Sequence, residues 1–321
     1  MGKILIGITL VAGALFALSA TAQTKTNIFV ATGPTTGVYY PIGGAIADVL
    51  TKNIPNLNAT AGSTDGSMAN LLLIQQHRAD IGLSMADASW DAFKGQGKFQ
   101  DRQVPVRALM VLYPNRMHVV TVEGTGINKI SDLKGKRVST GAPNSATQIM
   151  AYRVLEAAGI DPEKDIIRER LDPGKSADAI KDKKLDAFFW VGGLPTSAVT
   201  DLGATPGIKL KLIDHSEVLE PMVKKYGPLY VKDTIPAKTY PGQETTTQIV
   251  TVWNVLVADA NMSDQLAYDI VKTLFDRKED IVRVHAEAKN FDLKYQSDGA
   301  AVIPYHPGAK KYFAEKGVKL N

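Results

Sequence analysis

Short apolar runs alternate with segments of helical periodicity along almost the whole chain, and few folds can accommodate that rhythm. "NIFVATG" at 27–33 is a brief apolar run ending in glycine, the pattern of a buried strand. The segment after it carries Ile42, Ala45, Ile46, Val49 and Leu50, spaced to form one face of a helix, with Pro41 in its first turn. "LNATAG", "MANLLLIQQHR" and "ADIGLS" continue the series as strand, helix and strand. From Ile127 the rhythm starts again. "SDLKGKRVST" reads as a turn and a strand, 145–158 as a helix, "DIIRERL" as a strand, "SADAIKDKK" as a helix, and "LDAFFWVGG" as a strand. "GIKLKLI" reads as a further strand, "SEVLEPMVKKYG" as a helix, and "TTTQIVTVWNVLVAD" as a long extended segment. Ser263 is placed to cap a helix bearing Leu266, Ile270, Leu274 and Phe275. Alternation of this kind predicts an α/β fold of parallel sheets with crossover helices. Two successive units predict two lobes and a hinged cleft. The chain is expected to leave lobe one (27–120) near Val120, build lobe two (121–249), and return to lobe one (250–321).

Three loops share one design. "ATGPTTGVYYPIGG" (31–44), "AGSTDGSMAN" (61–70) and "STGAPNSAT" (139–147) each follow a strand end, carry small hydroxylated residues, and precede a helix. Ligands of open α/β sheets collect at the carboxyl ends of strands. A helix N-terminus there offers unpaired N–H groups and about half a positive charge, which suits an anion. Ser, Thr, Asn and Gly before a helix are also ordinary caps. It is the recurrence of the design in both units that predicts a shared site, for a phosphate, a carboxylate or an amino acid.

The remaining sequence mostly excludes. The 321 residues have a net charge of +4 and no basic tract with interleaved aromatics, so nucleic acid is not an expected partner. Lys3, the apolar run Ile4–Leu18 and Ala20-Thr21-Ala22 before Gln23 form the pattern of a signal peptide cleaved after Ala22. The run is short for a membrane span, which needs about 20 apolar residues. The mature chain is expected in a bacterial periplasm. With no cysteine there is no lipid-anchor site and no disulfide. "GKR" at 135–137 lacks the glycine and hydroxyl of a phosphate loop, G-x-S-x-G is absent, and the histidines at 77, 118, 215, 285 and 306 have no metal-ligand spacing. No cofactor, metal or catalytic residue is predicted. Trp190 lies in "FFWVGGLPT", which turns at Gly192-Gly193 beside the expected cleft.

The stretches "ATGPTTGVYYPIGGAIADVL", "STDGSMANLLLIQQHRADIGLSMAD", "ISDLKGKRVSTGAPNSAT", "LDAFFWVGGLPT", "IPAKTYPGQ" and "YHPGAKKYF" resemble, in order, the TAXI family. These are the extracytoplasmic solute receptors of one branch of the tripartite ATP-independent periplasmic (TRAP) transporters. The similarity spans about 27–315. It implies a periplasmic-binding-protein fold of two hinged α/β lobes, capture of an organic acid or amino acid, and docking on membrane permease subunits driven by an ion gradient. Ligands associated with the family include glutamate, glutamine, 2-oxoglutarate and other dicarboxylates. The resemblance implies ligand loops containing Gly33, Thr35, Thr36, Gly37, Tyr39 and Tyr40; Ser63 and Thr64; Asp87; and Ala142, Asn144, Ser145, Ala146 and Thr147. Trp190 and Gly193 would form the cleft wall. "SMAD" departs from relatives, which often carry a more polar pair at Met85-Ala86, and this predicts a less polar cleft. None of Arg107, Arg116, Arg137, Arg153, Arg168 and Arg170 is singled out to pair a carboxylate, so capture by helix ends is the expected mechanism. Two alternatives stay open: a lyase-like periplasmic enzyme on the same fold, in which Asp65 or Asp87 would act, and a binding protein serving a sensor or an ATP-driven importer.

Overall fold

The computed structural model describes residues 25–297 and 299–320. The signal-peptide pattern therefore lies outside the described residues. Among the described residues no helix is long and apolar enough to cross a membrane.

The first unit builds β1 (Thr26–Ala31), α1 (Tyr39–Asn53), β2 (Leu57–Gly62), α2 (Ser67–Gln75), β3 (Ile81–Met85) and α3 (Ala86–Lys94). All five periodic residues of α1 are buried. A long strand, β4 (Val106–Val122), then leads to the second unit: β5 (Arg137–Ser139), α4 (Ala146–Ala157), β6 (Ile167–Glu169), α5 (Pro173–Lys181), β7 (Ala187–Gly192), α6 (Ser197–Ala204) and β8 (Leu210–Leu212). α7 (Leu219–Tyr226) and β9 (Val231–Ile235) precede the second long strand, β10 (Thr247–Asp259). The chain ends with α8 (Asp264–Asp276), α9 (Lys278–Val282) and α10 (Pro307–Glu315). As expected, Ser263 caps α8, its hydroxyl accepting from the Leu266 N–H.

The strands form one continuous sheet in the order β2-β1-β3-β10-β4-β7-β5-β6, with β8 on β4 and β9 on β10. This is mixed, where the alternation predicts parallel pairing. The β1–β2, β1–β3, β5–β6 and β5–β7 ladders are parallel. Every ladder involving β4 or β10 is antiparallel. The reason lies in the path of the chain: β4 carries it out of the first unit and β10 brings it back, so the two run in opposite directions. Both strands belong to both halves. β10 pairs with β3 over 254–258 and with β9 over 247–251, while β4 pairs with β10 from Val106 and with β7 from Arg116. Irregularities in the β4–β10 ladder fall between Trp253 and Val255 and between Leu256 and Val257. A large apolar cluster runs through both halves, from Ile28 and Leu50 to Met150 and Phe189, and a smaller one including Val120, Phe188 and Val199 packs within the second.

Candidate ligand site between the lobes

Four helices begin at one small cavity of about 30 Å³ between the lobes. Its lining includes Val38 and Tyr39 at the start of α1, Gly66 and Ser67 at the start of α2, and Met85 immediately before α3. From the other lobe come Ser145, Ala146 and Thr147 at the start of α4. The first N–H groups of a helix have no intrahelical partner, so four partial positive charges face one space. Only α4 has a side-chain cap, the Ser145 hydroxyl.

The cavity gathers six of the residues named from sequence: Gly37, Tyr39, Ser145, Ala146, Thr147 and Trp190. Gly37 and Trp190 meet across the cleft, and a Cβ on Gly37 would sit 3.0 Å from the indole. Most of the hydroxyls already have partners within the protein. Ser145 Oγ donates to the Ala142 carbonyl at 2.7 Å and accepts from the Gln148 N–H at 3.3 Å. Thr147 Oγ1 accepts from the Val191 N–H at 3.4 Å, and Ser67 Oγ from the Met85 N–H at 3.0 Å. The Tyr39 hydroxyl donates to Asn254 Oδ1, and burial pushes its pKa well up.

The other ten stand elsewhere. Ser63 Oγ donates to the Gly33 carbonyl at 2.9 Å, and Thr64 Oγ1 lies 2.6 Å from Asn70 Oδ1, so Gly33, Ser63 and Thr64 tie the first two loops together. Thr35 and Tyr40 are exposed. Thr36, Asn144 and Gly193 take part in contacts between the lobes. The Thr36 carbonyl accepts from Ser197 Oγ at 2.8 Å. Asn144, in the left-handed region at φ 59°, offers its carbonyl to the Ala69 N–H at 3.2 Å. Gly193 packs so tightly that a Cβ would approach Glu287 Cγ to 2.7 Å. Ala142 closes the turn that Ser145 caps.

Asp87, the tenth, is fully buried behind the cavity in a cluster bridging α3 and α4. The Tyr230 hydroxyl donates to its Oδ2 at 2.7 Å and the Ala88 N–H to its Oδ1 at 2.8 Å. Arg153 of α4 reaches Asp91 at 2.7 Å and Asp87 at 3.5 Å. Burial raises the Asp87 pKa, while Arg153 and Tyr230 oppose the rise.

Among the described residues no arginine or lysine lines the cavity. Arg116 pairs with Glu287 and Asp233, both at 2.8 Å, Arg137 with Asp186, and Arg168 with Glu163. Arg107 donates to its neighbouring Val106 carbonyl, and Arg170 lines a separate outer groove. Met85 reaches the cavity, as the "SMAD" departure anticipates, and makes that wall apolar.

Sequence reasoning overlooked Tyr113 and Asn115. Both lie on β4 and both line the cavity; one is fully buried and the other 2% exposed. "VRALMVLYPNRMHVVTV" contains Pro114, which argues against a central strand. β4 tolerates it because at Pro114 the ladder partner is Trp253 on one side, while pairing with β7 begins only at Arg116.

Two α/β lobes joined by shared strands around a cavity of helix N-termini define the fold of the periplasmic solute-binding proteins. Residues 30–317 match the NMT1-like family, and the chain belongs to that family. Its structure is similar to the periplasmic aliphatic sulphonate binding protein SsuA from Escherichia coli. That match has a TM-score of 0.51 at 14% identity and covers 91% of this chain and 84% of that one. It is also similar to GshT, described in glutathione import with the cystine ABC importer TcyBC of Streptococcus mutans. Here the TM-score is 0.51 at 12% identity, covering 89% of this chain and 99% of the other. A protein of Bordetella bronchiseptica RB50 matches at 18% identity and a TM-score of 0.50, over 91% of this chain and 82% of that one. These likenesses establish the fold.

Proposed function

We propose that this protein is a periplasmic receptor of the TAXI type, which captures a small carboxylate and hands it to the permease subunits of a TRAP transporter. The convergence of four helix N-termini on a cavity without cationic side chains carries this reading. Such a site suits one carboxylate, held by backbone N–H groups. The resemblance of the loop motifs supplies the transporter class.

The lobes are proposed to comprise 27–120 with 250–321, and 121–249, with β4 and β10 as the hinge. Export with cleavage after Ala22 belongs to the same reading. The protein is proposed to bind without chemistry. Of the two acids considered, Asp65 is an exposed residue at the cavity rim, and Asp87 has both oxygens engaged within the protein. A second reading takes its partner from GshT, whose importer is of the ABC type.

Two measurements test the proposal. In a thermal-shift screen of the mature chain, a bound acid at a hundred times its Kd should add about 2.7 kcal/mol of stability. Uptake into vesicles carrying the cognate permease should require an ion gradient and no ATP. ATP-dependent uptake would favour the ABC reading, and an acid recovered chemically altered would favour an enzyme.

A further inference from the structure

Tyr113 and Asn115 are two residues apart on β4, a spacing that puts both side chains on one face of a strand. The Tyr113 hydroxyl and Asn115 Oδ1 are buried at the cavity and have no hydrogen-bond partner among the described residues. Buried polar groups are nearly always paired, so two open ones at one cavity call for a ligand. The contrast with the neighbouring hydroxyls is direct, because Ser67, Ser145, Thr147 and Tyr39 all have partners within the protein. Burial holds the Tyr113 pKa well above its ordinary value, so the phenol keeps its proton, and its oxygen can accept from a ligand donor as well as donate. Asn115 Oδ1 can only accept.

Charge narrows the ligand further. The helix ends provide for one carboxylate, and no cation is present for a second. Asp65 lies at the rim, so a second carboxylate reaching it would meet negative charge. The cavity is small enough that a donor reaching Asn115 must lie close to the bound carboxylate.

We propose that Tyr113 and Asn115 are the specificity-determining residues of this cavity, selecting acids with one carboxylate and a hydrogen-bond donor on the adjacent carbon, over dicarboxylates and 2-oxo acids. This rests on the carboxylate-receptor reading above.

Titration calorimetry of the full mature chain with four-carbon probes tests it: butanoate, 2-hydroxybutanoate, 2-aminobutanoate, 2-oxobutanoate and succinate. The expected result is that the hydroxy or amino acid binds at least about tenfold tighter than the other three, as one good hydrogen bond to a charged or buried partner allows. Tyr113→Phe and Asn115→Leu should each remove that preference while leaving the unliganded melting temperature unchanged or higher. A purely structural role would lower it instead. If one variant does not fold, the other decides. Asp65→Asn separates the two ligand sources, weakening the amino acid if the donor is an ammonium and sparing the hydroxy acid. Equal binding of butanoate and its substituted forms, a preference for succinate, or wild-type selectivity in the variants overturns this inference alone. Failure of every probe to bind overturns the receptor reading with it.

Discussion

At the start of α4 the lobes face each other across a cavity whose lining, apart from Asp65 at the rim, is neutral. Two turns further along the same helix, Arg153 joins them through buried charge. The first contact is unfinished: the Tyr113 hydroxyl and Asn115 Oδ1 have no hydrogen-bond partner there among the described residues. The second is complete, since Asp87, Asp91, Tyr230 and Arg153 bond to one another without help from any ligand. One helix thus makes two kinds of contact between the lobes, one complete within the protein and one that, in the receptor reading proposed above, a ligand completes. A ligand shifts an equilibrium only by its differential affinity for the two states. The more of the closed form that the charged cluster already stabilises, the less the ligand must provide.

The charged side is where substitution should cost most. Arg153→Met leaves Asp87 and Asp91 buried without their cation, and removal of one partner of a buried pair costs about 3–5 kcal/mol. Urea denaturation should register that loss, and adding Asp87→Asn and Asp91→Asn should recover much of it. An unchanged midpoint would mean that the cluster is no latch, and the contrast between the two contacts would collapse.

The neutral side should fail in acid. His118 donates from Nδ1 to the Arg116 carbonyl at 2.9 Å and accepts at Nε2 from the Tyr240 hydroxyl at 2.8 Å. Tyr240 in turn accepts from the Thr196 N–H at 3.1 Å, and Thr196 Oγ1 holds the Trp190 indole N–H at 3.0 Å. The cavity wall therefore leans on a neutral imidazole. Burial chiefly lowers the His118 pKa to about 4, and His215, which accepts the Val250 N–H, is likewise lowered to about 4. Between pH 6.5 and 4 the unfolded chain takes up protons that the folded state refuses. Stability is therefore present above 6.5 and lost as the pH falls, by up to about 3 kcal/mol for each histidine. Asp87 and Glu287, both raised by burial, also titrate, so the clean measurement is a difference. The stability gap between wild type and His118→Gln should narrow by about that amount from pH 6.5 to 4. A constant gap would show that His118 titrates normally.

Gly37→Ala presses a methyl group on Trp190 where the lobes meet. Ligand affinity should fall about tenfold, or roughly 1.4 kcal/mol, with little change in unliganded stability. Equal affinity by calorimetry would place the ligand away from this contact. Ser145→Ala should have the smallest effect, losing about 1 kcal/mol of stability through its cap. If backbone N–H groups hold the carboxylate, affinity should stay within about threefold, because the hydroxyl is already occupied by Ala142 and Gln148. A larger drop would make the hydroxyl a ligand in its own right.

The helices and outer strands were readable because each has its own period and flanking turn chemistry; β2 lies where "LNATAG" stands. The loops before α1, α2 and α4 announced themselves by small donors beside helix starts. What the sequence concealed was relational. Nothing local indicates that Asp87 meets Tyr230, 143 positions away, and not a ligand. Likewise β4 hides Tyr113 and Asn115 around a proline that only its one-sided pairing makes tolerable.

The strand order has a consequence for how the chain acquires its shape. β3 and β4 follow each other in sequence, yet β10 lies between them in the sheet. The first lobe therefore cannot be completed until residues 247–259 have been synthesised and inserted. Pairing across such separations is slow to form, because loop closure must precede any reward. For the exported receptor proposed above, that delay would keep the chain open for threading through a membrane: its earliest-made half has a gap that only residues 247–259 can fill.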